Sequence, residues 1–210
     1  MINTVAGWFN AGGPFMWVIT VVLALASAVT FERLLFYYII CSTKGTVLVS
    51  SIAGALNKKR EDLALSYVKT GKSPLVILIR TALERFNSGM SIEEVQEGVE
   101  ETAIKQIPRY TQRLNYLSLF ANIATLLGLL GTISGLMISF SSLAAVEASR
   151  KAMMLADGIS QAMITTAFGL IVAVPCMVLY TFLFNKQNRL IKDLDESVVK
   201  FVNYLKKQKN

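Results

Sequence analysis

Thr132, Gln161, Thr165 and Thr166 are the residues of this chain whose types and setting could do chemistry. Thr132 lies in an uncharged stretch, residues 114–146, and the other three share a second one, residues 158–185. A threonine hydroxyl both donates and accepts a hydrogen bond. Several of them around a narrow passage could hold water or relay a proton without storing charge. None titrates near neutral pH, so none can be a protonation switch. The stretches 1–31, 114–146 and 158–185 hold no Asp, Glu, Lys, Arg or His that could serve instead. If these residues serve an ion path, the titrating group belongs to another chain. The competing reading is that the hydroxyls bond back to their own helix and only help it pack.

The neighbours of these residues are small. Gly128, Gly131, Thr132 and Gly135 recur at spacings of three and four, so they share one helix face. Ala162, Thr166, Gly169 and Ala173 form a matching stripe in the later stretch. In lipid, small residues let helix backbones approach closely. Gly128, Gly131, Gly135, Ala162 and Gly169 are therefore predicted packing positions, and replacing Gly131 or Gly135 with Leu is expected to weaken an oligomer. Helix association explains the glycines without any ion path.

The elements that must position these residues are membrane spans. The chain is 53% hydrophobic and 17% charged, against about 25% charged for soluble domains, and its mean hydropathy is +0.50. Each uncharged stretch exceeds the roughly 20 residues that a helix needs to cross about 30 Å of hydrocarbon. Open strands cannot cross, because their backbone groups would go unpaired in lipid. The first stretch has no basic residue ahead of its apolar run, unlike a cleaved signal peptide. Trp8 and Phe9 place the segment before Gly12-Gly13-Pro14 along the interface, and the first span opens at Pro14.

Basic residues set the orientation, because cytoplasmic loops are enriched in Lys and Arg. Residues 41–113 and the tail from Lys186 are rich in both, while the loop between the later spans holds only Arg150 and Lys151. The N-terminus is thus predicted outside and the C-terminus inside. The net charge of +7 is assigned to this bias and to anionic lipid heads. No aromatic-basic interleaving points to nucleic acid.

The predicted organisation is an interfacial segment (1–13), a first span (14–40), a cytoplasmic helical region (41–113) and a second span with a cytoplasmic extension (114–146). A periplasmic loop (147–157), a third span (158–185) and a basic cytoplasmic tail helix (186–210) follow. Within the cytoplasmic region, Ser73-Pro74 reads as a helix opening and Asn87-Ser88-Gly89 as a stop. Ser91 with Glu94 reads as a capping box, and Pro108 as a kink or short break. The fold class is all-α: an integral membrane protein with three transmembrane helices, two of them extending far into the cytoplasm. Two cysteines, Cys41 and Cys176, allow no disulfide framework. With no histidine, the Ser-His and Cys-His catalytic pairs are excluded. No enzyme activity, metal or cofactor is expected.

Three segments carry a family resemblance. GLLGTISGLMISFSSLA (128–144) and GISQAMITTAFGLIVAVP (158–175) resemble the two signature segments of the MotA/TolQ/ExbB proton-channel family, nearest its ExbB/TolQ branch. VTFERLLF (29–36) resembles the end of that branch's first membrane helix. The resemblance implies a pentamer of this subunit around two copies of an ExbD- or TolR-like partner, whose single membrane helix bears the missing aspartate. It implies pore-lining roles for Thr132 and Thr166, extended here to Gln161 and Thr165, and it matches Pro175 to the proline of the third span, grouped with the packing positions. Members of the branch often carry glutamate where this chain has Gln161, which keeps hydrogen bonding and drops the charge. The implied role is an ion-conducting stator subunit of a bacterial inner-membrane motor, with the proton as expected carrier and sodium as the alternative. A TonB- or TolA-like protein is a further implied partner. The alternative is a non-conducting membrane scaffold of an envelope complex.

Overall fold

Between Pro14 and Glu32 the chain offers a helix no charged side chain. In the computed structural model it forms α1 (Phe15–Leu35), entered through Gly13 at φ +71°. Residues 12–143 and 147–209 are described. The expected interfacial segment falls outside them apart from Gly12 and Gly13, as do the last residues assigned to the second span. Among the described residues there are helices, turns and bends but no strands. Three helical runs are long and apolar enough to cross a membrane, within Phe15–Asn57, Ile92–Ser142 and Ala148–Lys209. The chain divides into two units, one of residues up to Phe31 with Arg113–Phe182, the other of Glu32–Gln112 with the chain from Leu183.

The first unit contains most of α1, all of α7 (Leu114–Ser142) and α8 (Ala148–Lys209) as far as Phe182. On α1, Met16, Ile19, Val22 and Ala26 are buried at spacings of three and four, while Trp17, Val18, Val21 and Leu25 are exposed. That stripe-and-shell pattern gives each span one face for protein and another for an apolar surrounding. The segment 147–157, expected as a loop, is helical from Ala148 onward. Its run of Ala, Met, Leu and Lys favours helix, and Asp157-Gly158 does not break it because Gly158 sits against α7.

The second unit is built from shorter helices: α2 (Gly45–Asn57), α3 (Glu61–Lys69), α4 (Pro74–Asn87), α5 (Ile92–Gln106) and α6 (Pro108–Thr111), with α8 from Leu183. Ser73 stands at the N-cap position of α4 without a side-chain capping bond, Pro74 lies in the first turn, and α4 ends before Gly89 at φ +81°. The capping box is present: the Glu94 amide donates to Ser91 Oγ at 3.1 Å, and the Ser91 amide donates to Glu94 Oε2 at 2.7 Å. Hydrogen bonds to it from the Ser91 amide and side chain hold the Glu94 carboxyl below its ordinary value of 4.5. A depressed carboxyl contributes fully above its unfolded value and loses that contribution as pH falls through the folded one. Ser91→Ala is expected to speed amide exchange in the first turn of α5 about fivefold at neutral pH, and unchanged protection there would contradict the cap.

The break expected at Pro108 is double. Pro108 opens α6, and the chain turns again where Gln112 is extended and Arg113 adopts φ 62° before α7. Arg113 carried no sequence signal, since a left-handed residue is usually Gly or Asn. The end of the first span also differs from a regular helix: Phe36–Ile40 form a π turn, closed by the Cys41 amide on Phe36 O at 3.0 Å. The wider turn carries Tyr37 inside, where its hydroxyl donates to Tyr110 O at 2.7 Å. Arg33 is buried, pairing with Glu32 Oε1 at 3.0 Å, donating to Arg109 O at 3.1 Å and lying over the Phe36 ring at 5.2 Å. In α8, Leu183, Gln187, Leu194, Ser197, Phe201 and Leu205 form its buried face. The Tyr204 hydroxyl donates to Ala53 O of α2 at 3.0 Å.

Candidate functional site

The predicted stripes meet each other. Gly128, Gly131, Gly135 and Ser139 of α7 are buried at spacings of three and four. They face Gly158, Ala162, Thr165 and Gly169 of α8, all buried as well. A Cβ added to Gly169 would sit 2.7 Å from Ala124 O and 3.1 Å from Gly128 Cα. One added to Gly128 would sit 3.2 Å from Thr166 Cα, and one on Gly135 would sit 3.1 Å from Ala162 Cβ. A Cβ on Gly131 would overlap Thr165 Cγ2, and one on Gly158 would overlap Ser139 Oγ. Several of these obstacles are backbone, which cannot rotate away. The two helices touch main chain to main chain, and the seam lies within one chain.

That closeness positions the hydroxyls. The Thr166 hydroxyl donates across the seam to Gly128 O at 2.9 Å, a reach that the absence of a side chain at Gly128 permits. The carbonyl can take it because a helical C=O uses one lone pair for its own helix and keeps a second. The Thr132 hydroxyl donates to the adjacent carbonyl, Leu129 O, at 2.6 Å. Thr132 and Thr166 are thus anchored on neighbouring carbonyls of α7, and both are half-buried. With each hydrogen committed, what either hydroxyl has left for a newcomer is an oxygen that accepts.

Thr165, expected to line the pore, is buried within the unit. It is 1% exposed, and its hydroxyl bonds to Gly12 O at 2.8 Å and to Gln161 O at 2.9 Å. Its role is to tie the turn before α1 to the polar half of α8. Gln161 is half-buried with its amide nitrogen against Gly13, where any side chain would collide with it. Pro175 is not at the seam either: it is exposed, between buried Ala173 and Cys176. Lacking an N–H, it leaves Ile171 O without its usual helical partner.

Sequence reasoning missed the ends of the seam, Ser139 and Gly158, and the Gly12-Gly13 turn that Thr165 and Gln161 hold. Ser139 follows Gly135 by four and Gly158 precedes Ala162 by four, so extending each stripe by one turn would have found them. Among the described residues no group of His, Cys, Asp and Glu could hold a metal. The site can place two hydrogen-bond acceptors in a setting without charge.

Comparison with known proteins adds an independent line. A profile of the MotA/TolQ/ExbB proton channel family matches residues 71–196, which include both stripes and both threonines. The chain is similar to a putative biopolymer transport protein ExbB homolog of Methanothermobacter thermautotrophicus, 27% identical over 202 residues, 96% of this chain and 70% of that protein. It is similar to the biopolymer transport protein ExbB of Salmonella typhimurium, 32% identical over 127 residues, 57% of this chain and 50% of that one. The Tol-Pal system protein TolQ of Pseudomonas aeruginosa is 29% identical over 144 residues, 62% of each chain. The chain therefore spans less than two thirds of the length of the last two relatives.

Proposed function

The chain belongs to the MotA/TolQ/ExbB proton channel family, and on that premise we propose that it is the ion-conducting stator subunit of an inner-membrane motor. The carrier is the proton. Five copies surround an ExbD/TolR-like partner whose single membrane helix bears an aspartate, and the ion-motive force does work on a periplasmic or outer-membrane system through a TonB- or TolA-like protein. The N-terminus is periplasmic and the C-terminus cytoplasmic. The family is one of channels that energise transport, and no enzymatic step is assigned.

The observation that carries this reading is the pair of hydroxyls, Thr132 and Thr166, held on adjacent carbonyls in spans without a charged residue. Each has spent its hydrogen, so it favours a group that donates. A protonated aspartate donates; an ionised one only accepts. The pair therefore stabilises the neutral acid of the partner, and its proton is released when the helix steps past. A unit charge crossing 100 mV releases about 2.3 kcal/mol, which is ample to drive such a step. Gln161 lies five residues before Thr166, about 7.5 Å along the helix, with its amide nitrogen packed against Gly13.

A scaffold is the second reading, and it takes support from the same bonds: hydroxyls returned to carbonyls of their own chain are what helix glue looks like. Purification with a one-helix, aspartate-bearing partner and native mass spectrometry separates the two. Five copies with the partner retained are expected, and a chain that holds no such partner would favour the scaffold. For orientation, a cysteine at Ser149 in a background without Cys41 and Cys176 is expected to react with an impermeant reagent from outside, and one at Ser66 is not. The reverse pattern would overturn the sidedness.

A further inference from the structure

Where the apolar stretches end in the second unit, charge resumes around a cavity of about 380 Å³. Lys44 is the first charged residue after Arg33, and Lys186 the first after the uncharged stretch 158–185. Both line the cavity, with Arg189 one turn further along α8 and with Tyr38, Ser42 and Thr43 supplying hydroxyls. Lys186 Nζ lies 5.0 Å over the Tyr38 ring, which holds that cation within the lining. Among the described residues no ion pair engages Lys44 or Arg189. The single carboxylate in the lining, Asp193, already accepts the Gly45 amide at 3.2 Å. Three cations thus face one occupied acid.

We propose that this cavity binds a phosphate group, the headgroup of an anionic phospholipid in the leaflet where α1 and the apolar part of α8 emerge. The inference rests on reading those helices as spans. The cavity suits a phosphate diester: cations for its charge, hydroxyls for its oxygens, and the exposed Ile39 and Ile40, which directly precede the lining residues Cys41 and Ser42 in the chain, for the acyl chains. Basic pockets beside membrane helices hold anionic headgroups in this way, each cation contributing most when it lies at the headgroup plane.

The test uses the purified full-length chain in detergent supplemented with dioleoylphosphatidylglycerol, dioleoylphosphatidylcholine or inorganic phosphate, read by native mass spectrometry. Phosphatidylglycerol adducts are expected to survive activation and phosphatidylcholine adducts to be lost. Each cation removed among Lys44→Gln, Lys186→Gln and Arg189→Gln is expected to weaken retention about fivefold. The charge-keeping variant Lys44→Arg, Lys186→Arg, Arg189→Lys is expected to restore it, which separates binding from folding. Removing Lys206, Lys207 and Lys209 alters the charge equally and is expected to change nothing. Equal retention by the Gln variants would overturn the site. Protection by inorganic phosphate equal to that by phosphatidylglycerol would overturn the lipid source. A chain that stays in solution without detergent would instead overturn the span reading.

Discussion

Gly169→Val is expected to break the α7–α8 seam, because it drives a side chain into main chain. A Cβ at residue 169 meets Ala124 O at 2.7 Å and Gly128 Cα at 3.1 Å, and both are backbone. Overpacking against side chains costs roughly 1–3 kcal/mol. Here no rotamer change relieves the clash, so a loss of at least about 3 kcal/mol is expected. Moving α8 away would also pull Thr166 off Gly128 O, coupling stability to the site. The readout is thermal unfolding of the detergent-solubilised protein, beside its yield. Gly54→Ala is the control: a Cβ there meets nothing within 4 Å, and replacing glycine inside a helix is worth up to about 1 kcal/mol in favour of folding. Equal melting of Gly169→Val and the native chain would contradict the seam. Because the glycine stripe packs within one chain, the Leu variants of Gly131 and Gly135 act first on the subunit's own fold and only through it on assembly.

The double replacement Thr132→Val, Thr166→Val is expected to leave the subunit folded and to stop it conducting. Valine keeps the shape of threonine. The lost hydroxyls leave Leu129 O and Gly128 O with their helical bonds, so the structural cost is about 0.5–1.5 kcal/mol per site. The functional cost is larger, because both acceptors offered to the partner's protonated aspartate are gone. Losing about 1–3 kcal/mol of stabilisation in a dry site corresponds to roughly fivefold to 150-fold in rate per site. Gln161→Ala is expected to do less than Thr166→Val, since the acceptor pair remains. Ion flux normalised to protein in the membrane is the measurement, and native flux in the double variant would leave only the scaffold.

The helical class and the spans were legible because lipid leaves a chain few options: long uncharged apolar runs must be helices. The Ser91–Glu94 box and the stop at Gly89 were legible because their signals are local. Other features were hidden because they depend on which residues meet. Arg113 adopts a backbone conformation that its type disfavours, and only the turn into α7 demands it. The π turn at Phe36–Ile40 follows from where Tyr37 is bonded, which periodicity cannot reveal. At the site, spacing picked out the glycines and Ala162, and put Thr166 in a stripe whose fully buried threonine is Thr165. It could not tell Thr165 from Thr166, which are neighbours of one type on one helix. Thr165 is spent on Gly12, while Thr166 reaches Gly128 from a half-buried position. Pro175 was grouped with packing residues by resemblance, although it is exposed.

The central claim is that this chain supplies a charge-free path and a partner supplies the titrating acid. Proton flux into liposomes under an imposed potential tests it most directly, with the chain alone, with its aspartate-bearing partner, and with that partner's aspartate changed to asparagine. Flux is expected only in the second case, rising with the potential. Equal flux from the chain alone, or from the complex whose partner lacks the acid, would contradict the account.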